Sequence, residues 1–461
     1  MHLASLDKYQ NIAVVGLGQT GLSVVRYLLS QGVQPVLFDT REQPPGVAQL
    51  PPTPAPLELH TGPLQVEHIL GMDLLIVSPG IDLRTPVLQL AADAAIPIIG
   101  DMDLLALHWA AAPDAAPVML GITGSNGKST VTQLLHDILA EQGMAVAMGG
   151  NIGIPVLDLL AQPANIYVLE LSSFQLELMQ QLPLRGATIL NVSDDHMDRY
   201  HNLHDYSHAK QRIYLNADVA VWNREQELTA PVYIPPSRQR TFGADTGLAD
   251  GIGDLTHAQF GLLRQADGLW LAYQGKPLVA AHELALSGIH NLLNVQAALA
   301  LAELVGVKPT AALATVKQFR GLAHRCELVA EQQGVRWVND SKATNIGAAE
   351  AAIQGLRASV SGKLILIAGG DGKGADFSAF KPALAQVDHL IVLGKDAERI
   401  AQQVEHAERV KDLTQAVAVA ASLATPGSMV LLSPACASLD MFNNYQQRGD
   451  MFRAAVEAYY G

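Results

Sequence analysis

Gly121-Ile122-Thr123-Gly124-Ser125-Asn126-Gly127-Lys128-Ser129-Thr130 is the stretch on which the fold turns. Upstream, Val118–Ile122 is a short apolar run suited to a buried strand; downstream, Val131, Leu134, Leu135, Ile138 and Leu139 recur with helical period. Strand, glycine-bearing bend and helix in that order make a phosphate cradle. Glycines leave bare amides around a polyphosphate, Lys128 neutralises its terminal charge, and the Ser129 hydroxyl suits Mg²⁺. The match is to the short G-x-x-G-K-[ST] pattern, since the longer GxxxxGK[ST] requires glycine where Ile122 stands.

Outward from this bend, short apolar runs alternate with amphipathic stretches, which predicts an α/β fold of parallel sheets covered by helices. Ile12–Val15, a Gly-rich turn, a helix-like run Leu22–Leu29 closed by Gly32, and Val36–Phe38 ending at Asp39 read as a βαβ unit. Pro-bearing breaks at Pro97–Gly100 and around Pro113–Pro117 put a first boundary near Gly100. Strands are expected at Tyr167–Leu171, Ala187–Val192 and Val219–Trp222, followed by a Gly- and Asp-rich stretch from Gly243 to Gly268 and a helix over Asn291–Leu304. Beyond Gly321 the alternation restarts with Val335–Val338, Leu364–Ile367, Leu390–Leu393 and Met429–Leu432. Three domains follow: a Rossmann-like unit over 1–100, a central P-loop parallel sheet over 101–321 and a second Rossmann-like unit over 322–461. Three ligand-binding units suggest a hinge near Gly321.

Composition narrows the function. With 49% apolar and 16% charged residues among 461, the chain has material for about three cores and is not disordered. The formal charge of −14 argues against bulk nucleic-acid or membrane-surface binding, so an anionic ligand needs a local site. Two cysteines, Cys326 and Cys436, suit a reducing, cytoplasmic setting. The start MHLASLDKYQNIAVVG has no signal pattern, and no stretch reaches the ~18 apolar residues of a membrane span.

Gly16-Leu17-Gly18-Gln19-Thr20-Gly21 matches GxGxxG between strand and helix, with Asp39 where a ribose-binding acid is expected. A nicotinamide dinucleotide is the first reading, and a tight β–α turn without ligand is the bland one. Two phosphate-type turns in one chain argue against a plain dehydrogenase, because hydride transfer has no use for an ATP cradle. Two acidic loops follow later strands, Leu169-Glu170-Leu171-Ser172-Ser173-Phe174-Gln175 and Asn191-Val192-Ser193-Asp194-Asp195-His196-Met197-Asp198. Loops at strand C-termini converge on one crevice, which would bring Glu170 and His196 beside the phosphates, both suited to Mg²⁺ directly or through water.

These stretches, together with Asp340-Ser341-Lys342-Ala343-Thr344-Asn345 and Ser433-Pro434-Ala435-Cys436-Ala437-Ser438-Leu439-Asp440, resemble the Mur ligases over essentially the whole chain. The resemblance is narrowest to the members that add D-glutamate to UDP-N-acetylmuramoyl-L-alanine, through an acyl phosphate and a tetrahedral intermediate, in cytoplasmic peptidoglycan-precursor synthesis. It implies that the first unit holds UDP and no nicotinamide, with Gln19, Thr20, Asp39, Thr40, Arg41, Gly80, Asn151 and Ser172 around the UDP-substrate. It implies ATP at Gly124, Ser125, Asn126, Gly127, Lys128, Ser129 and Thr130, with Asn291, Asn294, Arg325 and Asp340 completing the site. For the Asn pair, helix capping is the alternative. Two Mg²⁺ ions are implied, involving Ser129, Glu170, His196 and a carbamylated lysine at the position of Lys210; Lys128, His196 and Lys210 are the implied catalytic set. Thr344, Lys373, Ser438, Leu439 and Tyr445 are the implied D-glutamate residues, although the family commonly shows Phe at Tyr445, which leaves that role to backbone or ring. A monomer is expected.

Three rivals are weighed on the residues. A sibling ligase would keep the P-loop and metal residues, but the Asp-Asn-Pro-Arg signature of the diaminopimelate or lysine enzymes is absent. A dehydrogenase would leave Gly124–Thr130 idle. A non-catalytic nucleotide-binding regulator would bind without turnover.

Overall fold

The computed structural model describes residues 5–197, 199–245, 259–286, 288–357 and 359–461. Residues 1–4, Asp198 and residues 246–258 of the Gly- and Asp-rich stretch lie outside the described residues. Strands β1 (Ile12–Val15), β2 (Val36–Asp39), β3 (Leu59–Thr61), β4 (Leu74–Val77) and β5 (Ile98–Ile99) form a parallel sheet in the order β3-β2-β1-β4-β5. A second parallel sheet runs β11-β10-β9-β6-β8-β7, built from β6 (Val118–Thr123), β7 (Val146–Gly150), β8 (Ile166–Glu170), β9 (Gly186–Ile189), β10 (Ala220–Asn223) and β11 (Gln239–Phe242). β12 (Phe260–Gln265), β13 (Gly268–Tyr273) and β14 (Lys276–Ala280) make an antiparallel meander. The last sheet, β15-β16-β20-β17-β18-β19, comprises β15 (Glu327–Gln332), β16 (Val335–Asn339), β17 (Leu364–Ala368), β18 (His389–Val392), β19 (Glu408–Arg409) and β20 (Met429–Leu432), with only β15 antiparallel. Central strands β1, β4, β8, β17 and β20 are buried throughout, so they read as unbroken apolar runs.

The first two sheets share one core. Ile12 and Val14 of β1 cluster with Met119 of β6 and Tyr167 of β8 through Met102, Leu104 and Leu105 of the helix Asp101–Ala110. That helix fills the interval between the two Pro-bearing breaks. The expected strand over Ala187–Val192 ends at Ile189, because the following backbone turns to the P-loop: Asn191 accepts from the Ser125 amide through its carbonyl (2.9 Å) and from the Asn126 amide through its Oδ1 (2.8 Å). Sequence periodicity did not anticipate the meander or β15. Each depends on a two-residue turn: Gln274-Gly275 joins β13 to β14 with φ of +49° and +72°, and Gln333-Gly334 joins β15 to β16 with +54° and +76°.

The first helix, Gln19–Ser30, begins inside the Gly-rich turn, three residues earlier than its apolar pattern indicates. Gly21 lets it seat there, since a Cβ at this position would lie 1.8 Å from the Gly16 carbonyl oxygen. Gly21→Ala therefore has to displace backbone, and we expect it to destabilise the first unit by about 2 kcal/mol or more. Urea unfolding of this variant against the unsubstituted chain measures the shift.

Candidate active site

β6 delivers the chain into Gly124–Gly127 and the helix Lys128–Glu141 carries it away. Gly127 has φ +84°, and a Cβ there would stand 2.4 Å from Asn294 Oδ1, so both conformation and space exclude a side chain. Lys128 Nζ folds back to donate to the carbonyls of Gly124 (2.7 Å) and Ser125 (2.9 Å). Lys210 Nζ donates to the same Gly124 carbonyl at 2.9 Å and lies 4.2 Å from the centroid of the Tyr206 ring. Only 1% of Lys210 is exposed. Burial, reinforced by the charge of Lys128, holds its amine well below the usual lysine range; burial also lowers Lys128.

A cavity of about 280 Å³ lies against this bend, lined by five cationic side chains, Lys128, Lys210, Arg325, Lys342 and Lys373, against two carboxylates, Glu170 and Asp195. Arg325 and the two further lysines come from the last sheet. Arg325 Nη2 donates to Ser129 Oγ at 2.7 Å, and Lys373 Nζ to Asp195 Oδ1 at 3.2 Å. Burial, with the charge of Arg325, brings Lys342 down to about 8. At Asp195 burial works upward, but Lys373, His196 and Lys128 outweigh it and hold the carboxyl below its ordinary value. Among the described residues, no group of three or more His, Cys, Asp or Glu side chains would hold a metal by itself. Glu170 nevertheless presents a buried Oε2 with no hydrogen-bond partner, while Asn151 donates to its Oε1 at 2.8 Å. An orphaned carboxylate oxygen beside a hydroxyl and phosphate-binding amides fits Mg²⁺, which takes few protein ligands plus phosphate oxygens. His196 adopts φ +58°, packs edge-on to Phe174 at 4.8 Å and has its Nε2 3.7 Å from Asp195 Oδ2.

Three further cavities adjoin this one by sharing lining residues. One of about 340 Å³ is lined by Asn126, Gly127, Thr130, Asn291, Asn294, Arg325, Asp340 and Lys342. The cap of the helix Ile289–Glu303 is Gly288, without a side-chain cap, so Asn291 and Asn294 are not capping residues; Asn294 Nδ2 donates to Asn291 Oδ1 at 3.3 Å. A second, of about 590 Å³, has Gln19, Thr20, Asp39, Thr40, Arg41, Gly80, Asn151 and Ser172 on its wall. The smallest, about 130 Å³, is reached past Asp195, His196, Thr344, Asn345 and Lys373.

Several expected residues have their polar atoms already engaged on a cavity wall, or stand outside the central chamber. The Asp39 carboxylate, read as a ribose acid, is 1% exposed and turned inward: Oδ2 accepts from the Leu17 amide (2.7 Å) and Arg41 Nη2 (2.6 Å), and Oδ1 from Arg41 Nε (2.8 Å). It braces the Gly-rich turn and holds Arg41, whose half-exposed guanidinium meets the ligand space. Ser172 spends its hydroxyl in a capping box with Gln175. Ser438, Leu439 and Tyr445 do not line the central cavity. Ser438 is buried, Leu439 is 73% exposed, and the Tyr445 ring lies under Lys342 Nζ at 4.2 Å.

Sequence reasoning passed over Lys342, Asp195, Asn345 and Arg199. Asn345 Oδ1 caps the helix Ile346–Arg357 by accepting from the Ala348 amide (2.8 Å), and its Nδ2 reaches Asp195 Oδ2 (3.1 Å) and Asn126 Oδ1 (3.3 Å). Arg199 donates to the carbonyls of Pro79 (3.1 Å) and Ile81 (3.2 Å) and to Glu177 Oε2 (2.8 Å), tying the second sheet to the turn that carries Gly80. Lys342, Asp195 and Asn345 lie inside quoted motifs and Arg199 directly follows one, so the signal was at hand; their partners, up to 219 residues away, were not.

Fold and site together define a P-loop protein with a cation-lined chamber between its second and last sheets. The MurD-like N-terminal domain of Mur ligases matches residues 10–100, the Mur ligase middle domain 122–302 and the Mur ligase glutamate ligase domain 324–436. The chain is 46% identical to UDP-N-acetylmuramoylalanine--D-glutamate ligase of Idiomarina loihiensis, over 98% of this chain and 97% of that one. It is 47% identical to the protein of the same name from Pseudomonas aeruginosa, over 99% of both. MurF ligase from Thermotoga maritima, solved in complex with ADP, has the same fold with a TM-score of 0.57 at 16% identity, over 99% of this chain and 98% of that one. The chain belongs to the Mur ligase family.

Burial raises Asp340 to about 6, against the hydrogen bonds from Ser433 Oγ (2.7 Å) and the Cys326 amide (3.2 Å). A folded-state value above the unfolded one near 3.8 means that its contribution is full below about pH 4 and is lost as pH rises through about 6. Asp340→Asn stays neutral, so its stability relative to the unsubstituted chain should rise across that window, read as urea midpoints at several pH values.

Proposed function

We propose that the chain joins D-glutamate to UDP-N-acetylmuramoyl-L-alanine with ATP hydrolysed to ADP and phosphate, as an acid–amino-acid ligase of peptidoglycan-precursor synthesis. The observation that carries this reading is the convergence of three side cavities on one cation-rich chamber at the P-loop. Near full-length kinship with ligases of that name supports the choice of amino acid. We assign the UDP-sugar to the cavity of Arg41 and Gly80, the adenosine to that of Asn291 and Asn294, and D-glutamate to the loops of Thr344, Lys373 and Ser438. Units 1–100, 101–321 and 322–461 carry these three roles, and the protein works as a cytoplasmic monomer. Among the described residues no helix is long and apolar enough to cross a membrane.

The alanyl carboxylate attacks the γ-phosphorus, the bond to ADP breaks, and an acyl phosphate forms. The D-glutamate nitrogen then adds to the acyl carbon, and the tetrahedral intermediate expels phosphate to leave an amide. Two anions must meet in the first step, so Lys128, Arg325 and Lys373 supply positive charge where it is needed, in a chamber of low dielectric. Ser129, Glu170, His196 and Lys210 would hold Mg²⁺, which adds charge neutralisation at the phosphates when bound. Burial and the charge of Lys128 favour the neutral amine of Lys210, whose nitrogen can add CO₂, giving a carbamate and releasing one proton. Native mass spectrometry of active protein should find one CO₂ on Lys210; an active preparation with the bare lysine refutes this assignment.

Labelled D-glutamate should enter UDP-N-acetylmuramoyl-L-alanine with one phosphate released per amide, while L-glutamate, L-alanine and diaminopimelate do not. Lys128→Ala should lower turnover by about 10³-fold or more with little change in Tm. Near-normal turnover in that folded variant contradicts the mechanism.

A further inference from the structure

Arg448, in the helix Tyr445–Tyr460, is 2% exposed and takes no part in the chemistry above. Among the described residues no carboxylate lies within hydrogen-bond distance of its guanidinium. It is satisfied by neutral acceptors from three separate loops. Nε donates to Ser341 Oγ (3.0 Å) and Nη2 to the Ser341 carbonyl (2.7 Å), in the loop after β16. Both terminal nitrogens reach the Cys436 carbonyl at 3.1 Å, and Nη1 reaches that of Ala437 at 3.4 Å, in the loop after β20. Nη1 also approaches the Gly369 carbonyl, at the end of β17, at 3.5 Å.

A buried cation without a counterion is costly, and an apolar side chain would fill the same space without that cost. A planar fork with five donors does what no apolar group can, which is to fix the mutual spacing of carbonyls on several loops at once. The loops concerned follow adjacent parallel strands, β16, β20 and β17. Their order in space matters for the amino-acid site: Lys342 follows Ser341, Lys373 is four residues beyond Gly369, and Ser438 follows Ala437. Ser341 Oγ extends the same network by donating to the Tyr445 carbonyl at 2.8 Å. Asp371 and Ala437 exchange backbone hydrogen bonds of 3.0 and 2.8 Å, which link two of the loops directly.

We propose that Arg448 is a positioning residue for the amino-acid substrate: its guanidinium holds the loops carrying Thr344, Lys373 and Ser438 at the spacing that a dicarboxylate requires. Arg448 itself touches no substrate. The inference rests on the assignment of D-glutamate to these loops. Its consequence is selective against the UDP-sugar, because the Arg41 cavity is built by the other two sheets, whereas Asp340 and Lys342 on the adenosine cavity flank Ser341 and lie within reach of the fork.

The test is steady-state kinetics of the full chain with each substrate varied in turn, for the unsubstituted protein, Arg448→Lys, Arg448→Ala and Ser341→Ala. In Arg448→Lys a single ammonium cannot reach three loops, so the D-glutamate KM should rise about tenfold or more while the KM for the UDP-sugar stays within about twofold. Millimolar guanidinium should lower the D-glutamate KM of Arg448→Ala. If that variant does not fold, Ser341→Ala decides, with an expected rise in the D-glutamate KM and an unchanged KM for the UDP-sugar. A lowered Tm with all three KM values unchanged, or a parallel rise in all three, overturns the proposal. Absence of D-glutamate turnover in the unsubstituted chain would instead remove the reading on which it rests.

Discussion

Positive charge concentrated at the Gly124 carbonyl is the constraint around which the molecule is arranged. Two lysines, Lys128 and Lys210, donate to that one oxygen, and three more cations stand around the same chamber in a chain whose formal charge is −14. Like charges at this distance in a buried site repel strongly, and the two nearby carboxylates do not balance them. The chamber therefore carries an excess of positive charge. This explains why its cations are tethered to carbonyls and hydroxyls, as with Lys128 on the loop and Arg325 on Ser129: such partners hold a charge in place yet are readily exchanged for phosphate oxygens.

The arrangement also dictates where the last sheet must sit. Arg325, Lys342 and Lys373 follow or precede its strands, yet they close a site founded on β6. Contacts such as Asn345 to Asn126 and Lys373 to Asp195 connect the sheets through single polar side chains, with no apolar interface at those points. Polar bridges of this kind can be remade with a ligand between them, whereas the shared core of the first two sheets around Met102 and Leu105 cannot. The first two sheets thus share an apolar core, while at these points the third meets the second through polar side chains.

Most of the scaffold was legible from periodicity. β17 and β20 are fully buried strands, and β6 is buried beyond Val118; their apolar runs match their spans nearly residue for residue, and the P-loop glycines have a local cause that sequence displays. Legibility failed where a residue's partner is remote. The partners of Asp39, Arg41 and the Leu17 amide, and the burial of Lys342 beside Arg325 are not displayed by the sequence around them. The antiparallel strands escaped for a different reason: short hairpins turn on one or two residues with positive φ, and Gln274 and Gln333 are not residues that advertise such a turn.

Lys210 joins these two themes. Its sequence context is an ordinary amphipathic helix, and nothing local marks it. Folding buries it, gives it Tyr206 as a neighbour and forces it to share an acceptor with Lys128, so its proton is held less firmly than that of an ordinary lysine. Losing that proton lowers the repulsion among the cations of the chamber, and the carbamate proposed above would go further, placing a third anion beside Glu170 and Asp195. Such a group would also supply an anionic oxygen donor for Mg²⁺, where the described residues gather no cluster of three or more His, Cys, Asp or Glu.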